Sequence, residues 1–228
     1  MDALQLVLLL AAALAPPVIL SIRLRNAERR RREPWRVLWR AFAWGATIAA
    51  AIAVVAETLL DRSFAGAAII GSGLSVTVVL VAPIVEEMAK TLGLGVIRDP
   101  DPEPEDGYIY GGAVGLGFAA TENTIYILAA FALAGQETAF VTALYRGVAT
   151  VALHGAASAI AGHGVWRSRA DGRMGWAAWG LLAATALHVS YNALAGLAAG
   201  WATLAAAGVA LVAYLRIVRR VRVLDEAG

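Results

Sequence analysis

The amino-acid sequence predicts an all-α membrane protein, a polytopic bundle of about seven or eight transmembrane helices. Three observations support this fold class. The chain is 60% hydrophobic with a mean hydropathy of +0.67, and several of its apolar stretches are long enough to cross a hydrocarbon core of about 30 Å. All but three of its 19 basic residues fall in clusters beside those stretches. We expect a single membrane domain over residues 1–228.

Charge and composition narrow the class of protein further. The basic clusters at 23–40, 98, 167–173 and 216–222 each border an apolar span, which marks the cytoplasmic side of a membrane and not a nucleic-acid surface. Cysteine is absent, which excludes disulfides and thiolate metal ligands. Abundant alanine and arginine with little lysine are typical of a high-GC bacterial genome. We therefore expect a multi-pass protein of a bacterial cytoplasmic membrane, in contact with lipids; its oligomeric state is left open.

The first apolar span covers residues 3–22, between Asp2 and the arginine-rich segment 23–40. This order of charges is the reverse of a secretory signal peptide, so we expect an uncleaved first helix with its N-terminus outside. The basic segment is expected to be a cytoplasmic surface helix, with Trp35 and Trp39 at the membrane interface.

The rest of the helical bundle is predicted over residues 41–218. Its six further spans are expected at 41–60, 68–97, 108–134, 139–165, 175–199 and 201–218. An eighth span would arise if the long third one divides at 71–73. The acidic, proline-rich loop 99–107 is expected to be an extended linker, 135–138 and 166–173 are expected turns, and 219–228 is expected to be a cytoplasmic tail.

The third span carries Glu86, Glu87 and Lys90 in an otherwise apolar stretch. A carboxylate at membrane depth costs about 2.5–3.5 kcal/mol or more, so two adjacent ones indicate a function. Helical spacing puts Lys90 on the face of Glu86, where the two can pair, and Glu87 about 100° away. Pro83 removes a backbone hydrogen bond just before the pair and favours a bend there.

Three later spans also carry polar side chains. They are Glu122 and Asn123 in the fourth span, Arg146, His154 and Ser158 in the fifth, and His188 and Asn192 in the sixth. At about 1.5 Å of rise per residue, the ionisable glutamates and histidines of the four polar spans lie about 16–21 Å from the cytoplasmic ends of their helices. This shared depth near the bilayer midplane predicts a single site.

Side chains beside the predicted site have expected structural roles. Glycines at 111, 112, 115 and 117 give the fourth span a small-residue face on which neighbouring helices can pack closely. Arg146 lies nearer the outer face and is expected to pair with a carboxylate or with lipid headgroups. Ser158 has no acid–histidine–serine pattern around it, so a nucleophilic serine is not expected.

Two imidazoles and one carboxylate from three helices can hold Zn²⁺ in an open tetrahedral site. On this interpretation His154, His188 and Glu122 are the ligands, and a carboxylate of the third span is the general base for a bound water. Without metal, a glutamate would activate water directly while His188 and Asn192 stabilise the oxyanion. Both versions hydrolyse an amide bond inside the membrane.

Two other classes of function use the same residues. A non-proteolytic scaffold or immunity protein would bind a membrane partner without turnover. A proton or cation transporter would use intramembrane carboxylates and histidines, but the sequence shows none of the repeats or paired broken helices typical of transporters.

Four short motifs mark the polar spans. They are EExxK at 86–90, FxxxEN at 118–123, a histidine at 154 and HxxxN at 188–192. Over about 35–200 this pattern resembles the PrsW family of bacterial intramembrane proteases, part of the wider group of type II CAAX prenyl proteases and bacteriocin-immunity-type membrane proteins. That wider group typically shows EExxxR, FxxxH and HxxxN. Lys90 and Glu122 differ from its pattern and favour PrsW.

The resemblance implies an intramembrane endopeptidase, of metallo- or glutamic type, that cleaves a transmembrane protein substrate. Its catalytic core would lie at about 76–195, and the substrate could be a single-span anti-sigma factor cut at site 1. The implied catalytic residues are Glu86, Glu87, Glu122, His154, His188 and, as oxyanion or orienting group, Asn192; the supporting residues are Lys90, Asn123 and Arg146. Because Lys90 is expected to pair with Glu86, Glu87 is the favoured base, and Glu87→Gln is expected to abolish cleavage.

Overall fold

A computed structural model of the chain describes residues 2–63, 75–95, 97, 103–197 and 199–227, with side chains for all of these except 61–63. Of the described residues, 90% are helical and none forms a β-strand. The predicted all-α class is therefore confirmed. The predicted division of the third span at 71–73 lies outside the described residues.

Eight α-helices make up the described bundle. They are α1 (Ala3–Arg25), α2 (Trp35–Trp44), α3 (Ala50–Ser63), α4 (Ala82–Leu94), α5 (Asp106–Tyr145), α6 (Val151–Asp171), α7 (Gly175–Gly196) and α8 (Gly200–Ala227). Single turns of π-helix, at Gly45–Ala49, Thr77–Val81 and Arg146–Thr150, lead into α3, α4 and α6. Such turns insert one extra residue into a helix and are frequent at functional sites.

Four helical segments are long and apolar enough to cross a membrane. They are Ala3–Arg25, Trp35–Leu60, Asp106–Asp171 and Gly200–Ala227. Large apolar side chains such as Leu8, Val55 and Leu133 point outward from the bundle, as expected for a surface in contact with lipid. The chain is thus a membrane protein, whereas the span count and the orientation stay predictions.

The 66-residue segment Asp106–Asp171 reverses direction within α5. Gly135 has φ of 84° and ψ of −174°, a backbone conformation that breaks the helix and that glycine adopts without steric cost. The break falls in the turn predicted at 135–138.

Three predicted boundaries differ from the structure. The predicted surface helix over 23–40 does not form as one helix, because α1 continues to Arg25, Pro34 excludes helical backbone at the residue before it, and α2 begins at Trp35. The turn predicted at 166–173 is shorter, because α6 continues to Asp171 and ends at Gly172, whose φ is 66°. The predicted tail 219–228 is mostly helical, because α8 runs on to Ala227.

Glycines bring the central helices α5 and α6 into backbone contact. A Cβ atom on Gly111 would lie 2.3 Å from the carbonyl oxygen of Ser158, and one on Gly115 would lie 2.1 Å from that of His154. On another side of α5, a Cβ on Gly117 would lie 1.9 Å from the carbonyl oxygen of Phe42. The predicted close packing at these glycines is confirmed, but they do not share one face: Gly111 and Gly115 face α6, whereas Gly117 faces α2.

We expect Gly162→Ala to destabilise the bundle, because its Cβ would lie 2.1 Å from the carbonyl oxygen of Gly107 and would force α5 and α6 apart. The cost of such overpacking is about 1–3 kcal/mol, measurable as a lower thermal midpoint in detergent. The matched control is Gly208→Ala in α8, whose Cβ would have no described atom within 4 Å. Equal midpoints for the two variants would contradict this packing.

Candidate active site

The entry to α4 is shaped by Pro83. In the π-helical turn Thr77–Val81 the carbonyl of Thr77 accepts from the N–H of Ala82, five residues on. The corresponding donor for the Val78 carbonyl would be Pro83, which has no N–H. The side-chain amide of Asn192 donates to the Val78 carbonyl at 2.9 Å instead. The bend predicted at Pro83 is thus a π-turn, and Asn192 joins α7 to it.

Lys90 lies at the centre of the buried polar residues. Its ammonium donates to Glu86 Oε2 at 3.0 Å, to Glu87 Oε1 at 2.9 Å and to His154 Nδ1 at 2.8 Å. It also lies 4.0 Å from the centre of the Phe118 ring, a cation–π contact. The side chain of Lys90 is only 1% exposed, so its charge is balanced by these neighbours and not by water.

Glu87 is fully buried and has three partners. Besides Lys90, it accepts from Nδ1 of His188 at 3.0 Å and from the hydroxyl of Ser158 at 3.2 Å. The predicted pair of Lys90 with Glu86 is confirmed, but Lys90 also bonds Glu87, which helical spacing placed about 100° away from that pair. A lysine side chain is long enough to bridge the i−3 and i−4 positions together.

Glu122 lies on the other side of His154. Its Oε2 is 2.7 Å from His154 Nε2 and 2.8 Å from the guanidinium of Arg146. Arg146 also donates to the side-chain oxygen of Asn123 at 2.9 Å, and its guanidinium lies 4.0 Å from the Tyr126 ring centre. The predicted pairing of Arg146 with a carboxylate is confirmed.

These contacts fix the tautomers of both histidines. The Lys90 ammonium can only donate, so Nδ1 of His154 accepts and its Nε2–H donates to Glu122. The Glu87 carboxylate can only accept, so His188 carries its proton on Nδ1. Each imidazole thus has one nitrogen bonded to a carboxylate and keeps a lone pair on the other. The two rings pack edge to face, with centres 4.9 Å apart.

A cavity of about 520 Å³ opens onto this cluster. Its polar lining includes Glu57, Glu86, Glu122, Arg146, His154, His188 and Asn192. Glu87 and Lys90 do not line it and lie behind Glu86. The cavity walls come from α3, α5, α6, α7 and the α4 region, so reactants would meet Glu86 and Glu122 before Glu87.

One group of donors in this cavity fits a metal ion. Glu86, His154 and His188 each offer one ligand atom within 4.8 Å of the others, and all three are buried. Two nitrogens and one oxygen are a donor set that zinc prefers. Glu122 lies behind His154 and Glu87 behind His188, which is the carboxylate–histidine pairing commonly found around bound metals. The prediction that Glu122 is itself a ligand stays a prediction.

The predicted convergence of four spans on one site is what the structure shows. It brings together Glu86, Glu87 and Lys90 from α4, Glu122 and Asn123 from α5, Arg146 and His154 from the π-turn and α6, and His188 from α7. Asn192 lines the same cavity. Glu57 lines the cavity but was not predicted, although its position as a carboxylate within an apolar span could have indicated it. The contacts of Lys90 with the Phe118 ring and of Arg146 with the Tyr126 ring were not predicted either.

A helical membrane bundle whose buried carboxylates and imidazoles meet at a cavity has the construction of an intramembrane hydrolase. A family model described as PrsW family intramembrane metalloprotease matches residues 33–219. The chain belongs to this family and is an intramembrane protease.

A curated relative supports the same conclusion. The chain is 28% identical over 199 residues to Protease PrsW of Bacillus subtilis (strain 168), an alignment that covers 85% of each protein. No solved structure matches the chain. The interpretation as a protease is confirmed over the scaffold and transporter alternatives.

We expect Lys90→Met to lower the free energy of unfolding by about 3–5 kcal/mol, because it leaves Glu86 and Glu87 buried without their ammonium partner. Adding Glu87→Gln should recover part of this loss, since one of the two unpaired charges is then removed. The free energy of unfolding is measured in detergent micelles for the wild type, the two single variants and the double variant. Its departure from additivity gives the interaction energy between Lys90 and Glu87. Strictly additive effects would contradict the central place of Lys90.

Proposed function

We propose that the protein hydrolyses a peptide bond of a membrane-protein substrate in the 520 Å³ cavity, with a water molecule activated by Glu86. The observation that carries this proposal is the meeting of Glu86, His154 and His188 at the cavity, with a second carboxylate behind each imidazole. Membership of the protease family supports the reaction type.

Glu86 is favoured over Glu87 as the general base because of access. Glu86 lines the cavity, whereas Glu87 is 0% exposed and bonded to Lys90, His188 and Ser158. Glu87 then acts as a positioning residue that holds Lys90 and the tautomer of His188. This assignment reverses the preference for Glu87 that the sequence alone suggested.

Glu86, His154 and His188 would hold a zinc ion if one is bound. His188 has a lone pair available on Nε2, whereas His154 would bind through Nδ1 only after that atom loses its hydrogen bond from Lys90. Glu86 would bind through one carboxylate oxygen and keep the other to accept the proton of the water. When bound, zinc lowers the pKa of a coordinated water and polarises the carbonyl that is attacked. In the structure Lys90 donates to Nδ1 of His154. A metal ion on that nitrogen would displace Lys90, which would keep Glu87 as its partner.

Two further groups have roles in this proposal. Asn192 uses one amide N–H on Val78, and its second N–H is available to stabilise an oxyanion at the cavity wall. Arg146 and Asn123 hold Glu122 against His154, which orients the imidazole ring. The residues that the resemblance named as supporting therefore act through the catalytic ones.

The substrate and the topology belong to the same proposal. Seven crossings are consistent with the helices if Asp106–Asp171 counts as two at its Gly135 break and the α4 and α7 regions as one each. The basic clusters favour an outer N-terminus and an inner C-terminus in a bacterial cytoplasmic membrane. A substrate with one transmembrane segment, such as an anti-sigma factor, would present an apolar helix to the cavity from the lipid.

We expect Glu86→Gln to lower substrate cleavage by about 10²–10⁴-fold, because the amide cannot accept the proton of the attacking water. The measurement is terminal proteomics of membrane fractions, scoring truncated single-span proteins in cells that lack the endogenous gene and carry wild type or variant. Glu86→Gln should also keep the wild-type thermal midpoint, because Lys90 retains Glu87.

The matched control is Glu137→Gln, a neutralised glutamate that is exposed beside the Gly135 break and should leave cleavage unchanged. Glu87→Gln is expected to lower both cleavage and thermal stability, since three contacts change. If the Glu86→Gln variant produces cleavage fragments at the wild-type level, Glu86 is not the general base.

A further inference from the structure

Acidic side chains from three distant parts of the chain meet at one end of the bundle. Glu28 comes from the connection between α1 and α2, Glu105 precedes α5, and Asp225 lies in the last turns of α8. A carboxylate oxygen of each lies within 4.8 Å of the other two. Their exposed fractions are 0%, 3% and 5%, so these three carboxylates are shielded from water. Glu103 and Asp106 form an overlapping group with Glu28.

Two of these buried carboxylates have an oxygen without a donor. Glu28 uses Oε2 to accept the backbone N–H of Glu33 at 2.7 Å, while its Oε1 has no hydrogen-bond partner within the described part of the chain. Oε2 of Glu105 likewise has none among the residues described. Asp225 is held in place by the backbone N–H groups of Arg29 and Arg30, each at 3.0 Å.

Two nearby arginines, Arg25 and Arg32, direct side-chain hydrogen bonds to backbone carbonyls. Arg25 donates to the Glu33 carbonyl at 2.6 Å and stacks on Trp35, and Arg32 donates to the backbone carbonyl of Glu28 at 3.2 Å. Arg31 pairs with Glu103 at 3.3 Å. None of these bonds reaches the bare oxygens of Glu28 or Glu105. Unpaired buried carboxylates are costly, so the cluster calls for a proton or a cation.

We infer that Glu28, Glu105 and Asp225 form a binding site for a hard divalent cation, Mg²⁺ or Ca²⁺. The donors are all carboxylate oxygens, the ligands that these two ions prefer, and no imidazole is among them, unlike the donor set of the catalytic cavity. A separate cavity of about 460 Å³, lined by Glu103, Glu105, Asp225 and the arginines at 30 and 31, gives an ion access from the surface.

The titration behaviour of Glu28 is consistent with this site. Burial raises the pKa of Glu28 to about 8, and the neighbouring carboxylates of Asp106, Glu105 and Glu103 add to the shift. Burial also raises the pKa of Glu105. Binding of a divalent ion would stabilise the charged carboxylates that burial disfavours.

An ion bound here would fasten three chain segments to each other. It would tie the end of α8 and the start of α5 to the connection that follows α1. Helix α5 carries Glu122, and α8 packs against α6 and α7, which carry the two catalytic histidines. The ion would therefore stabilise the scaffold of the active site without contacting it. The role is structural, and a divalent ion should raise the thermal midpoint.

The test is calorimetric titration of the chelator-treated full chain in detergent, with CaCl₂ and MgCl₂ in separate experiments up to about 10 mM, well above the weakest carboxylate sites at about 1 mM. The expected result is one ion per chain, a rise in thermal midpoint with that ion, and affinity at least about tenfold weaker in Glu28→Gln. The ion that binds with the higher affinity, Ca²⁺ or Mg²⁺, is the one to which the site is assigned.

Glu226→Gln, which neutralises an exposed carboxylate next to Asp225, is the matched control and should bind like wild type. Glu86→Gln should also bind like wild type, which separates this site from the catalytic one. If Glu28→Gln does not fold, Asp225→Asn replaces it. The inference is overturned if neither ion binds wild type, or if Glu28→Gln and Asp225→Asn bind as tightly as wild type.

Discussion

The site depends on one shared ammonium group. Lys90 neutralises Glu86 and Glu87 and also fixes the proton of His154, and its side chain is only 1% exposed, so its charge is balanced by these groups and not by solvent. With Lys90 in place, a carboxylate can face the cavity as an anion. The glutamate behind it can hold His188, and Glu122 can orient His154 from the other side. Each charged group is therefore balanced by a neighbour from another helix.

Backbone features bring those helices close enough for these bonds. Glycines at the α5–α6 contact allow the two backbones to touch beside the site. The π-turns before α4 and α6 lie a few residues before Glu86 and His154. Pro83 creates the exposed carbonyl that Asn192 caps, so a side chain expected to act only on substrate also fastens α7 to α4. Small residues and helix irregularities are thus as necessary to the site as its charged residues.

Much of this arrangement followed from the sequence because depth along a helix is a one-dimensional quantity. Counting residues along each helix placed Glu86, His154 and His188 in one layer. The glycines of the fourth span indicated close helix packing, and the polar residues that follow Gly135 indicated the reversal of the chain there. The division of roles was not predictable, because it depends on rotation about helix axes and on side-chain reach. Lys90 reaches both glutamates, and Glu122 faces the far nitrogen of His154, only once α4, α5 and α6 have packed.

We propose that Glu86, His154 and His188 form one metal-binding catalytic site. Its most direct test is the zinc content of protein purified without chelators, compared with a His154→Ala/His188→Ala variant of equal helicity. We expect about one zinc per chain in the wild type and none in the variant, with weaker but measurable binding when Glu122→Gln removes the carboxylate behind His154. Wild-type protein that stays metal-free at micromolar free zinc, or a double-alanine variant that retains its zinc, would contradict it.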